Sequence, residues 1–188
     1  MTYFEPGRVG ATLMPALKAV LSRPRAFFSA MPATGNYSAN IVLLTLITLI
    51  GTLLGAPFSG FMILFILPFI WLFMLLSMWA WAAYLAWAVR TFTDRQLDTV
   101  NAFQLATYAS VPMLFSFVPL LGFIASIWNL YLNWLALVAR VEVKEGTAIM
   151  IILVPLLVLV LSFVALIVLL FALMPDLMQT EMNRTMQF

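Results

Sequence analysis

The sequence predicts an all-α membrane protein of five transmembrane helices, with an interfacial amphipathic helix ahead of them. Three observations predict it. Of 188 residues, 65% are hydrophobic and only 9% charged; a soluble domain is nearer half apolar and a quarter charged. Five apolar stretches approach or exceed the width of a bilayer core, with short polar links between them. The positive charges crowd into alternate links, as in multi-pass membrane proteins. The length suits one domain. It divides into an N-terminal segment (1–38), a five-helix membrane domain (39–174) and a short external tail (175–188).

Residues 1–38 carry charges and prolines and lack a continuous apolar core. No cleavable signal peptide is expected, and the first span then acts as an uncleaved insertion signal. Ala11 to Leu21 places Leu13, Met14, Leu17, Val20 and Leu21 on one side and Lys18 on the other. That pattern predicts a short helix lying in the membrane interface. Pro24 follows, suited to a helix first turn. Phe27 and Phe28, after Arg25-Ala26, are candidate interface anchors dipping into the headgroups; a packed N-terminal arm is the equal alternative.

The first span covers about 40–56 and contains Gly51-x-x-x-Gly55, a spacing that lets two helices approach closely. The second, about 60–89, is roughly 45 Å long at 1.5 Å per residue, more than the bilayer core needs. Pro68 is expected to kink it. Trp87 suits the interface belt, while Trp79 and Trp81 are expected to pack against neighbours. The third span, about 100–116, is short, roughly 25 Å, and contains Pro112. The fourth covers about 119–139. The fifth, about 147–173, is a Leu/Val/Ile run with Ser162 as its one polar interior residue. It has least to hydrogen-bond with and is expected to face lipid, ending at Pro175.

Lys and Arg outside the spans set the orientation. Arg8, Lys18, Arg23, Arg25, Arg90, Arg95, Arg140 and Lys144 fall on one side, and Arg184 alone on the other. The N-terminus is expected in the cytoplasm of a cell with an inner membrane, and the C-terminus outside.

Composition also narrows the chemistry. There is no histidine and no cysteine, which removes the commonest general base, the thiolate nucleophile and the usual metal ligands. No ionisable residue lies well inside a span, where proton relays and ion-coupled transporters keep one. No enzyme activity, metal or cofactor is expected. The net charge of +2 is too small to point to nucleic acid.

The third and fourth spans carry the chain's polar interior. Asn101, Gln104 and Tyr108 share one helix face, as do Gly122, Ser126, Asn129 and Asn133. Folded as a hairpin, the two stripes stand at matching depths, and hydrogen bonds between them are expected. Each is worth about 0.6–2 kcal/mol, so the seam reads as glue between helices. The competing reading is a path for a polar headgroup or small solute. Gly122, with Gly51 and Gly55, is a candidate helix-packing position.

The motifs resemble the Yip family of Ypt/Rab-interacting membrane proteins in its prokaryotic form. The resemblance rests on VLSRPRAFFSAMPATG at 20–35, ATYASVP at 106–112 and PLLG at 119–122 leading to Trp128 and Leu130. The family's usual glycine after the fourth span's tryptophan is replaced here by Leu135-Ala136. The resemblance implies a five-span helical bundle with a cytoplasmic N-terminus. Its eukaryotic members act in vesicle trafficking through Rab GTPases and partner membrane proteins. The expected function is therefore that of a membrane scaffold or partner-binding protein; the alternative is a lipid or small-molecule conductor using the seam. Expected partners are the bilayer, other membrane proteins and a second copy of the chain, meeting through Gly51 and Gly55 or the fifth span.

Overall fold

A computed structural model describes residues 3–32, 35–59, 61–116, 118 and 120–185, with side chains for all but 59, 61 and 171–185. Every regular element among them is helical. Two short helices, α1 (Val9–Ser22) and α2 (Pro24–Ser29), lead the chain. Then come α3 (Tyr37–Ser59), α4 (Leu67–Phe92), α5 (Thr99–Ala109), α6 (Leu121–Arg140) and α7 (Glu145–Thr185). Among the described residues α3, α4, α6 and α7 are long and apolar enough to cross a membrane.

The third expected span is built differently from the others. α5 has only 11 residues and gives way to a 3-10 turn, Val111–Phe115. Pro112 has no N–H to offer the Tyr108 carbonyl, so the α-helical ladder breaks there. The chain tightens instead: Met113 N–H bonds the Ser110 carbonyl at 2.8 Å, and Ser116 N–H bonds Met113 at 3.0 Å. Helix and turn together still reach roughly 25 Å if straight.

The second span is shortened, not kinked. A 3-10 turn covers Phe61–Leu64, and Pro68 sits in the first turn of α4. There its missing N–H costs nothing, because the first-turn donors have no helical partner anyway. Trp79 is 55% exposed, contrary to expectation, while Trp81 turns inward.

The chain divides into two compact units, Met1–Ile151 and Ile152–Phe188. The second is a continuation of α7, and its side chains from Leu153 to Leu170 are almost all exposed. That surface of Leu, Val and Ile is what lipid would cover. Pro175, expected to end this helix, lies within it, and residues 175–185 are helical and not a loose tail. A proline removes its own donor and opens one hydrogen bond, and the turns of α7 on either side of it persist.

Within the first unit the N-terminal segment packs on the later helices, α2 against α6. α1 buries Thr12, Ala16, Leu17 and Val20, while Met14 is 71% exposed and Leu21 also emerges. The buried stripe is thus rotated from the expected one. It docks on protein, so the side carrying Met14 is what remains for a membrane. Phe27 and Phe28 are both fully buried. They are core residues of this arm and not free to dip into headgroups. Trp87, at 55% exposure near the end of α4, keeps a position suited to an interface.

Gly51 is also turned inward. A Cβ there would sit 3.3 Å from the Leu114 carbonyl and 3.4 Å from Leu114 Cα. The glycine lets α3 pack on the 3-10 turn, and this close approach is within one chain, not between two.

Candidate functional site

The expected seam does not close by direct pairing of its two stripes. Each stripe finds other partners. On α5, Asn101 Oδ1 accepts the Gly35 N–H at 2.9 Å, pinning the entry to α3. The Tyr108 hydroxyl accepts the Phe4 N–H at 3.0 Å, tying down the start of the chain. Gln104 is buried but makes no hydrogen bond with a described residue. Asp98 caps α5 by accepting the Asn101 N–H at 2.9 Å, the ordinary work of an N-cap carboxylate.

On α6, Asn129 Nδ2 donates to the Ala109 carbonyl at 3.1 Å. The switch to 3-10 geometry explains this bond. Met113 N–H turns to Ser110, so the Ala109 carbonyl loses its i+4 donor and a side chain from α6 supplies one. Asn133 sits one turn on. Its Nδ2 donates to the Asn129 carbonyl at 2.9 Å, and its Oδ1 accepts Trp81 Nε1–H at 2.9 Å. α4, α5 and α6 are thereby joined at one depth. Ser126 stands apart: it is exposed, and its hydroxyl bonds back to the Gly122 carbonyl of its own helix at 2.8 Å. Gly122 serves the tip of the hairpin, where a Cβ would meet the Ser116 carbonyl at 2.5 Å.

The two polar clusters border separate cavities. One, of about 270 Å³, lies beside Ser77, Trp81, Ser110, Asn129 and Asn133. The other, of about 330 Å³, lies at the loop end of the bundle, among Arg95, Asn101, Gln104, Arg140 and Glu142. Ala136 and Leu137 of α6 fall between Asn133 and Arg140 and are buried. On α5, Leu105 borders the loop-end cavity and Ala106 the other; both are buried too. Across the loop end, Arg95 and Glu142 form an ion pair at 2.9 Å between the two interhelical links.

A family model described as the Yip1 domain matches residues 18–177. The chain belongs to the Yip family. No curated protein and no solved structure matches it. This Yip protein is an all-α, multi-pass membrane protein, as its apolar helices and family together require. The matched residues begin within α1, so Tyr3 and Phe4, which hold Phe27 and Tyr108, lie ahead of them.

Several residues of the clusters carried no sequence signal. Trp81 was expected to pack against neighbours, but its hydrogen bond to Asn133 had no signal. The Ala109 carbonyl and the Gly35 N–H are backbone groups, invisible to side-chain periodicity. The one usable clue was Pro112, which predicts an orphaned carbonyl nearby.

Asn129→Leu in this Yip protein is expected to cost about 1 kcal/mol, typical of an interhelical hydrogen bond in a membrane. Asn129→Ala should cost more, because it adds a void. Thermal unfolding in mild detergent measures both; equal, unchanged midpoints would mean that the Ala109 carbonyl does not need this donor.

Proposed function

We propose that this Yip protein is a non-enzymatic membrane scaffold that binds partner membrane proteins. The observation carrying this reading is that four polar side chains of the hairpin are engaged internally. Asn129, Asn133, Asn101 and Tyr108 bond backbone groups or Trp81. A conduit needs polar atoms left free along its length to replace hydration. Buried Leu105, Ala106, Ala136 and Leu137 intervene between the two cavities instead. Self-association through the apolar face of the second unit belongs to the same reading, since the Gly51 side is taken by Leu114. The experiment is affinity capture after mild solubilisation, with a stoichiometric membrane partner expected. Lipid scrambling or solute flux in liposomes that falls in Asn129→Leu would overturn the reading in favour of a conductor.

The same reading places the protein in the inner membrane, N-terminus in the cytoplasm and C-terminus outside. The support is the charge asymmetry between alternate links. Cysteines introduced at Asp94 and Gly146 should react with an impermeant reagent only from the cytoplasmic side. Reaction only from outside would reverse the topology.

A further inference from the structure

The loop-end cavity holds polar groups that the scaffold reading leaves unused. Gln104 is 7% exposed, borders the cavity and has no hydrogen-bond partner among the described residues. Its amide is not sealed off like the buried, unpartnered Thr107 hydroxyl, and its hydrogen-bonding capacity is open toward the cavity. Arg140, half-buried at the end of α6, has no ion pair or hydrogen bond with a described residue. Its field nonetheless reaches inward: burial raises the Tyr3 phenol above its usual range, and the Arg140 guanidinium pulls it partly back. The acidic neighbours are already occupied. Glu142 is paired with Arg95, and Asp98 caps α5. Asn101 has its Oδ1 engaged by Gly35, which leaves its Nδ2 to donate. A free guanidinium and two amides therefore border one cavity of about 330 Å³. Free cation and donors without a free carboxylate select an anion, and a guanidinium suits a phosphate by bidentate hydrogen bonding. The cavity also lies at the end of α6, whose last residue is Arg140, and the ends of membrane helices are where headgroups are met.

We propose that this cavity binds a phosphate group, carried either on an anionic lipid headgroup or on a soluble phosphate ester. Arg140 provides the charge and a fork of donors, and the Gln104 and Asn101 amides complete the site. The contrasting possibility is that Arg140 only balances the C-terminal dipole of α6.

The test uses the purified full chain, stripped of lipid in mild detergent. Native mass spectrometry measures retention of phosphatidylglycerol against phosphatidylcholine. Thermal shift measures glycerol 3-phosphate and inorganic phosphate. Arg140→Gln is compared with Lys144→Gln, which removes an equal charge on the far side of the Arg95–Glu142 pair. Phosphatidylglycerol preference that falls about tenfold in Arg140→Gln but not in Lys144→Gln supports the site and names a lipid source. The same Arg140 dependence for glycerol 3-phosphate or inorganic phosphate alone, with no lipid preference, supports the site and names a soluble source. Equal loss in both variants, or no phosphate binding at all, overturns it. Should Arg140→Gln not fold, Gln104→Leu decides. It keeps the net charge and buries no unpaired amide, so it should fold at least as well and still bind more weakly. Undiminished binding in a folded Gln104→Leu overturns the proposal.

Discussion

Phe27→Ala is expected to destabilise the first unit by about 3–5 kcal/mol, the range for removing a fully buried aromatic ring. The ring centroid lies 5.0 Å from Tyr3 and 5.0 Å from Tyr108, with Phe28 edge-on at 5.7 Å. The Phe27 carbonyl also accepts the Tyr3 hydroxyl at 3.2 Å. The substitution removes the common neighbour of three rings. The contact between the Phe4 N–H and Tyr108 should loosen with it. Two measurements follow: a lowered thermal midpoint in mild detergent, and faster tryptic cleavage at Arg8 and Lys18. Phe27→Leu should retain part of both. If Phe27 served as a headgroup anchor, its loss would weaken membrane attachment of the arm and leave midpoint and cleavage rate unchanged.

Gly122→Ala should cost about 2 kcal/mol despite improving helix propensity. Alanine gains about 1 kcal/mol over glycine inside a helix. Against that, overpacking costs about 1–3 kcal/mol, and this site lies at the upper limit. The added Cβ would stand 2.5 Å from the Ser116 carbonyl, a backbone atom with no rotamer to change. The surroundings have little room to yield. Gly122 N–H is bonded to the Val118 carbonyl at 3.0 Å, and Leu120 is already held at φ 66°, where side chains are disfavoured. Gly51→Ala is the control, because its nearest contact is 3.3 Å and a shift of a few tenths of an ångström accommodates it. A larger loss of thermal stability for Gly51→Ala than for Gly122→Ala would contradict this geometry.

These two sites show where local pattern stops being informative. The apolar runs that became α3, α4, α6 and α7 were plain in the sequence, because backbone satisfaction in lipid leaves a long apolar segment few options besides a helix. The polar faces of α5 and α6 were legible for the same reason, since spacing of three and four fixes which residues share a side. The family could also be read from short motifs, and the match over residues 18–177 bears this out. What periodicity could not supply was the partner of each polar group. Matching depth set the stripe with Tyr108 against the stripe with Ser126, yet the N-terminal arm returns to take Tyr108, and Ser126 faces out. Phe27 next to arginines left a headgroup anchor and a packed arm equally open, because sequence adjacency says nothing about what packs over it; the structure buries it. Asn129 looked like half of a side-chain pair. Its actual acceptor, the Ala109 carbonyl, exists only because Pro112 diverts the helix into a 3-10 turn. The loop-end cavity needs Gln104, Arg140 and the Arg95–Glu142 pair at once. Those residues come from two helices and two links. Hydropathy and helical spacing are properties of neighbours along the chain; hydrogen-bond partners and cavities are settled by segments far apart in sequence, and only the packed fold brings those together.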